Sequence, residues 1–366
     1  MRIILTGGGT GGHIYPALAI AKELRERHPD VEILYIGSET GLEARLVPKS
    51  GIPFESIEIS GFRRSLSFEN VKTVYRFLKG VRRSRSLIRS FSADAVIGTG
   101  GYVCGPVVYA AAKQGIPTLI HEQNVIPGLT NKFLAKYVSR IAVSFTGSAQ
   151  YFPTDKVVVT GNPRATEVAK ADPTRGRSSL ALSGSKRLVL VVGGSRGARA
   201  INEAFIEAIP QLEKQRNTHF VYVTGEVHYE QVKQMLEQSG QTMGNISVFP
   251  YIYNMPEVLA TTELIINRAG ASFLAEITSL GIPSILIPSP YVTNNHQEKN
   301  ARWLEGHGAA AVLLERDLTA NSLVTEIEQI VHVPQRLQLM KQAAKKLGEP
   351  QAADKIYEEI QKLMRR

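Results

Sequence analysis

The chain has 366 residues, 43% of them hydrophobic, and 43 Lys and Arg against 33 Asp and Glu give it a formal net charge of +10. That length exceeds what one hydrophobic core serves and predicts two domains, while the ordinary apolar content excludes a disordered or fibrous chain. The lone cysteine, Cys104, excludes an intramolecular disulfide, and with no apolar run of about 18 residues and no secretory leader the expectation is a cytosolic protein.

The apolar run Ile3-Ile4-Leu5 leads into GGGTGGH at 7–13, the pattern of a strand, a glycine-rich turn and a helix. Gly9, Gly11 and Gly12 let backbone approach a ligand, and the N–H groups and positive dipole of the following helix attract phosphate. In that helix Ile14, Ala17, Leu18, Ala21 and Leu24 share one face, with Pro16 expected in the first turn. Further strands are expected at 33–36, 56–59, 95–98, 118–121, 140–144 and 157–160. The second half repeats the scheme from 188–192, which leads into GGSRGA at 193–198, through 220–224, 246–249, 264–267, 284–287 and 310–314. The polar stretch 170–184 has the composition of a linker.

Apolar runs alternating with amphipathic stretches predict α/β architecture: two Rossmann-like, doubly wound domains, with ligands at the carboxyl ends of the strands in a cleft where the domains face one another. An internal echo agrees, since Gly115-Ile116-Pro117 and Gly281-Ile282-Pro283 each precede a strand. Formally Gly7, Gly9 and Gly12 satisfy a dinucleotide fingerprint. The second strand, however, ends Tyr35-Ile36-Gly37-Ser38 without the acid such a site wants; Glu39 comes later, and hydride chemistry needs no histidine at the position of His13.

Charge is concentrated at 61–90, where Arg63, Arg64, Lys72, Arg76, Lys79, Arg82, Arg83, Arg85 and Arg89 stand against a single acid, Glu69. Val71, Val74, Leu78, Val81 and Ile88 follow helical spacing there, widened by Phe77 and Leu87. Two readings stay open: a core-packed helix with a solvated basic face, or a helix lying on an anionic membrane. Nucleic acid is not expected, because no recognition module or aromatic stacking series accompanies the charge.

GGGTGGH at the N-terminal end, GTGGYVCGP at 98–106, HEQN at 121–124, GNPR at 161–164, GGSRGA at 193–198 and NRAGASFLAE at 267–276 together resemble the MurG family of N-acetylglucosaminyltransferases. The segments span nearly the whole chain in family order. The resemblance implies a GT-B fold with an acceptor and membrane-binding domain at 1–163, rejoined by a C-terminal helix at 351–366, and a donor domain at 164–350. It implies an inverting transfer of N-acetylglucosamine from UDP-N-acetylglucosamine to the C4 hydroxyl of the N-acetylmuramoyl group of lipid I, giving lipid II for peptidoglycan. UDP-N-acetylglucosamine 2-epimerase and another lipid-acceptor glycosyltransferase are the alternatives.

Such chemistry needs a base, fixed dipoles for the leaving diphosphate, and a donor held for in-line attack. His13, at a helix N-terminus that favours its neutral ring, is the first candidate base, and Glu122 is the rival. For the donor the resemblance implies Thr10, Gly11, Gly12, Asn124, Arg164, Ser195, Ile252, Ala271, Ser272, Glu276 and Gln297. For the acceptor it implies Gly9, Gly12, His13, Gly101, Tyr102 and Asn124. Arg164 has the fork that suits phosphate oxygens, and Ile252 can read uracil only through backbone groups. No metal or cofactor is expected to be required, as the sequence holds no D-x-D pair and no zinc pattern. With lipid I as acceptor, Lys72, Val74, Arg76, Phe77, Leu78, Lys79, Val81, Arg82 and Arg83 are expected to dock the first domain on the anionic inner leaflet of the cell membrane. Cell-wall synthesis and division proteins are the protein partners this setting suggests.

Overall fold

The computed structural model describes residues 1–61, 68–182, 186–194, 197–239 and 243–365, with 68–71 and 239 in backbone only. Arg63, Arg64, Ser195 and the side chain of Val71 therefore lie outside the described residues. Two compact units divide the chain: Met1–Arg164 with Gln351–Arg366, and Ala165–Pro350.

The first unit is built on strands β1 (Arg2–Thr6), β2 (Glu32–Ser38), β3 (Phe54–Ile57), β4 (Ala95–Gly98), β5 (Thr118–Glu122), β6 (Arg140–Val143) and β7 (Val157–Val159). They pair in the order β3-β2-β1-β4-β5-β6-β7, all parallel. Between them run helices α1 (Gly11–Arg27), α2 (Glu43–Lys49), α3 (Phe68–Phe91), α4 (Cys104–Ala112) and α5 (Leu129–Leu134). Both faces of the sheet are covered, so β1 reads as a continuous apolar run. Ile3 and Leu5 pack on one side with Ile14, Ala17 and Leu24 of α1, and Ile4 on the other with Val107 and Val108 of α4.

The second unit holds α6 (Arg164–Ala169, whose first residue belongs to the first unit), α7 (Pro173–Ser179), β8 (Arg187–Val192), α8 (Arg199–Leu212), β9 (Thr218–Val223), α9 (Glu226–Ser239) and β10 (Ile246–Phe249). It continues through α10 (Met255–Ala260), β11 (Leu264–Asn267), α11 (Ala271–Leu280), β12 (Ser284–Leu286), α12 (His296–Gly306), β13 (Ala310–Val312), α13 (Ala320–Val331) and α14 (Pro334–Leu347). Its sheet runs β10-β9-β8-β11-β12-β13, again all parallel. In each sheet the order reverses beside the first strand of its unit, between β1 and β4 and between β8 and β11, which is where doubly wound sheets bind ligands.

The last helix, α15 (Ala352–Met364), belongs to the first unit and seats Ile356, Ile360 and Leu363 in the core beside α1. Burying each such side chain stabilises by about 2 kcal/mol. Its polar edge is tied down by Arg27 to Asp354, by Arg140 to Glu359 at 3.3 Å, and by a 2.6 Å hydrogen bond between His28 and the Tyr357 hydroxyl.

Three sequence expectations are corrected. Pro16 lies inside α1, not in its first turn, because the helix begins within the glycine turn at Gly11 and the Ile14 N–H already donates to the Thr10 carbonyl. Within the stretch 170–184 expected as a linker, the described residues 170–182 are not open: Asp172 caps α7, and Gly176 packs so closely on Glu257 that a Cβ there would lie 2.0 Å from its carbonyl oxygen. Arg164 falls in the first unit, where its guanidinium lies over the Tyr15 ring at 5.6 Å.

Candidate functional site

At the switch point of the first sheet the turns after β1 and β4 interlock. Gly8 N–H donates to the Gly100 carbonyl at 3.2 Å, and the Thr99 hydroxyl donates to the His13 carbonyl at 2.7 Å. Gly101, at φ +84°, comes so close that a Cβ would stand 2.2 Å from the Gly8 oxygen, so no other residue fits there. His13 Nδ1 lies 2.9 Å from the Gly8 carbonyl and 3.3 Å from the Thr10 hydroxyl, its ring against Gly100, and the Tyr102 ring sits beside Gly9. A carbonyl only accepts, so Nδ1 carries the proton and the imidazole lone pair resides on Nε2. Thus Gly9, Thr10, Gly11, Gly12, His13, Gly101 and Tyr102 converge at one strand end.

The HEQN segment ends β5 next door. Glu122 is buried, one oxygen accepting from Asn124 N–H at 2.9 Å and from its side-chain amide at 3.3 Å, the other from Gly128 N–H at 3.1 Å and Asn131 Nδ2 at 2.8 Å. These N–H groups engage the carboxylate as the organiser of the loop that carries Asn124. His121, fully buried, has Nε2 2.9 Å from the Gly161 carbonyl and Nδ1 2.9 Å from the Gln123 amide, which also donates to Thr99 O at 2.7 Å. Desolvation pushes its pKa down to about 4, so the ring stays neutral and braces three strand-end turns together, that of Arg164 included. Sequence reasoning does not single out His121 or Gln123, because their partners are backbone carbonyls that carry no sequence signal.

Cys104 is likewise buried. Its thiol is 3.1 Å from Thr6 O and 3.0 Å from Gly100 O, and burial pushes its pKa up to about 12, which leaves it a packing group and not a nucleophile.

In the second unit the glycine turn after β8 is backed by Thr224. Gly197, at φ +73°, lies where a Cβ would meet the Thr224 carbonyl at 2.0 Å, and the Asn202 amide donates to that same oxygen at 3.1 Å. Ile252 is buried in the loop after β10. After β11, Gly270 precedes the N-terminus of α11, whose first residues are Ala271 and Ser272, with Glu276 buried one turn on. Gln297, in the first turn of α12, accepts from Ser289 N–H at 2.9 Å through its amide oxygen, which fixes the orientation of its NH2 group. A further ion pair, Arg268 to Glu315 at 2.5 Å, joins the ends of β11 and β13. Among the described residues no three of His, Cys, Asp and Glu gather as a metal site.

The basic helix α3 packs on the core along one side and is exposed along the other. Val81 (7% exposed), Leu87 and Ile88 are buried, and the Phe77 ring packs on Tyr109 and Phe133. Val74 (47%), Tyr75 (68%) and Leu78 (63%) are exposed. Val81 is therefore a core residue and not part of the outward face: although it lies one turn on from Leu78, it sits at the edge of the stripe that packs inward with Leu87 and Ile88. Arg76 and Lys79 pair with Glu58, at 3.2 and 2.6 Å, and Arg83 with Glu55 at 3.1 Å. These acids lie outside the 61–90 window, which is why the local charge count overstates what the helix presents.

Two parallel α/β units, each with a glycine turn at its switch point, define a protein of GT-B architecture. Residues 3–143 match the Glycosyltransferase family 28 N-terminal domain and residues 188–356 the Glycosyltransferase family 28 C-terminal domain, so the chain belongs to glycosyltransferase family 28. It is 58% identical over 366 residues, the full length of both chains, to the UDP-N-acetylglucosamine--N-acetylmuramyl-(pentapeptide) pyrophosphoryl-undecaprenol N-acetylglucosamine transferase of Bacillus cytotoxicus. Among solved structures it is similar to MurG of Acinetobacter baumannii, with a TM-score of 0.80, 29% identity and 99% of each chain covered. The UDP-GlcNAc 2-epimerase of Neisseria meningitidis shares the fold at a TM-score of 0.69, with 14% identity over 99% of this chain and 100% of the other.

Proposed function

We propose that this chain transfers N-acetylglucosamine from UDP-N-acetylglucosamine to the C4 hydroxyl of the N-acetylmuramoyl group of undecaprenyl-pyrophosphoryl-N-acetylmuramoyl-pentapeptide, with inversion. The reading rests on its identity, over the full length of both chains, with the transferase of Bacillus cytotoxicus, whose name states donor and acceptor. In this reaction His13 Nε2 takes the C4 hydroxyl proton as the oxygen attacks the anomeric carbon. The bond to UDP breaks, and its electron pair leaves with the diphosphate. Glu122, already holding N–H groups on both oxygens, orders the loop of Asn124 and leaves the base role to His13.

The glycine turn after β8, the N-terminus of α11 and Arg164 meet the diphosphate, where fixed dipoles and a guanidinium do the work of a cation. Glu276 binds ribose hydroxyls, the Gln297 amide the donor sugar, and the backbone at Ile252 the uracil. Thr10, Gly11 and Gly12 are further donor contacts, while Tyr102 and Asn124 hydrogen-bond sugar hydroxyls. The proposed reaction uses no metal.

A lipid-borne acceptor asks for a membrane face. No helix among the described residues is long and apolar enough to cross a bilayer. The exposed side of α3 carries Val74, Tyr75 and Leu78 with the exposed Arg82 and Arg85, and this is the surface that would rest on the anionic inner leaflet.

The test is UDP release from UDP-N-acetylglucosamine in EDTA, with and without a lipid I analogue, following the product by mass spectrometry. Acceptor-dependent release with a disaccharide product is expected. Donor isomerisation without acceptor would instead assign the chain to epimerase chemistry.

A further inference from the structure

Glu43, the first residue of α2, is fully buried although its side chain is a carboxylate, and nothing in the reaction as described uses it. Its Oε1 accepts from Ser38 N–H at 3.0 Å and from the Ser38 hydroxyl, and its Oε2 accepts from Gly9 N–H at 3.0 Å. Burying an ionised carboxylate is costly unless such donors meet it, so its place beneath the first glycine turn is tightly specified.

The Gly9 N–H belongs to the same peptide group as the Gly8 carbonyl, and no peptide bond among the described residues is cis. In a trans peptide N–H and C=O point in opposite directions. The carboxylate that fixes Gly9 N–H on one side therefore fixes Gly8 C=O on the other, where it meets His13 Nδ1 at 2.9 Å. The direction of this one peptide plane sets the tautomer of the imidazole. With the carbonyl towards His13, Nδ1 must carry the proton and Nε2 the lone pair. With the plane reversed, an N–H would face Nδ1 and the proton would move to Nε2. A Gly-Gly peptide, with Gly9 at φ +84°, has little steric resistance to such a reversal, so something outside it must choose.

We infer that Glu43 is a positioning residue that acts on His13 through the Gly8–Gly9 peptide plane and holds the imidazole in the tautomer whose Nε2 can accept a proton. The arrangement parallels an acid orienting a catalytic histidine, with a peptide group interposed between carboxylate and ring. Hydrogen bonds in series polarise one another, so the charge on Glu43 also strengthens the Gly8 carbonyl as an acceptor. The inference rests on His13 as the base proposed above.

The experiment reads the tautomer itself. Long-range proton–nitrogen NMR of the 15N-labelled full chain at alkaline pH distinguishes Nδ1–H from Nε2–H, with the His13 signals assigned by their loss in His13→Gln. Wild type is expected to show Nδ1–H. In Glu43→Gln an amide NH2 facing Gly9 N–H favours reversal of the plane. His13 should then show Nε2–H, with kcat falling at least ~100-fold while the donor KM stays within about threefold. Ser38→Ala keeps the carboxylate on Gly9 and should retain both Nδ1–H and most of kcat.

An Nε2–H signal in wild type overturns the inference whatever the variants do. It is also overturned by Glu43→Gln that keeps Nδ1–H and near-normal kcat, or by Ser38→Ala that switches the tautomer as strongly. If His13→Gln turns over normally, the base assignment fails separately, and the tautomer measurements still decide whether Glu43 sets the ring.

Discussion

The two glycine turns occupy equivalent places in their sheets and are backed by different groups. The turn after β1 is backed by the buried carboxylate of Glu43, which takes Gly9 N–H, and is followed at once by His13. The turn after β8 is backed by the uncharged Thr224 and Asn202, with the His228 ring against Gly197. A buried negative charge under a turn disfavours phosphate there, whereas a turn backed by neutral groups keeps its positive helix end for an anion. In the proposed reaction the same strand–turn–helix device thus serves proton transfer in the first unit and diphosphate binding in the second.

The largest effect that would sharpen this comparison is at His13. His13→Gln is expected to lower kcat by about 10³-fold and leave UDP binding near wild type, as measured by steady-state rates and calorimetry. On the second unit, Glu276→Ala should raise the donor KM by about tenfold or more with a smaller change in kcat, because the ribose contact proposed for it would exist before and during transfer. A fall in kcat with unchanged KM would put Glu276 outside the nucleotide site.

On α3 the two faces should separate cleanly. Leu78→Glu is expected to weaken binding to anionic vesicles by about tenfold without changing the thermal midpoint. Val81→Ala should do the reverse, costing about 1–3 kcal/mol of stability with vesicle binding kept. Equal effects of the two on vesicle binding would contradict the assignment of faces.

A pH-dependent effect concerns His121. Its pKa in the folded chain, about 4, lies below the unfolded value near 6.5, so the unfolded state binds the extra proton between those values. The contribution of this group to stability is therefore whole above about pH 6.5 and is lost as pH falls towards 4, at most about 3 kcal/mol. An NMR titration should find His121 still neutral at about pH 5, where an ordinary histidine is charged. A midpoint near 6.5 would mean that the brace between the strand-end turns is open to water.

Much of the fold is legible because a strand covered on both faces must be apolar at successive positions. The runs at 95–98, 246–249 and 264–267 coincide with β4, β10 and β11 to the residue. The start of α1 is less legible, since two glycines and an interior proline are poor helix formers and only the fixed glycine turn lets the helix begin at Gly11. The candidate site divides the same way. His13 and the glycines announce themselves by motif, whereas Glu43 reaches Gly9 across 34 positions, and Glu55 of β3 and Glu58 just after it reach over to α3. An acid near the end of β2 is the one available signal for Glu43. Glu39 stands nearer the strand, but the chain must fold before it is seen that Glu43 turns back beneath the loop.

The central claim, that the first turn moves the proton and the second holds the nucleotide, is tested most directly by titrating UDP into His13→Gln and Glu276→Ala side by side. His13→Gln is expected to bind UDP as wild type does while turning over almost no substrate, and Glu276→Ala to bind UDP weakly. Loss of UDP binding in His13→Gln with full binding in Glu276→Ala would place the nucleotide at the first turn and contradict it.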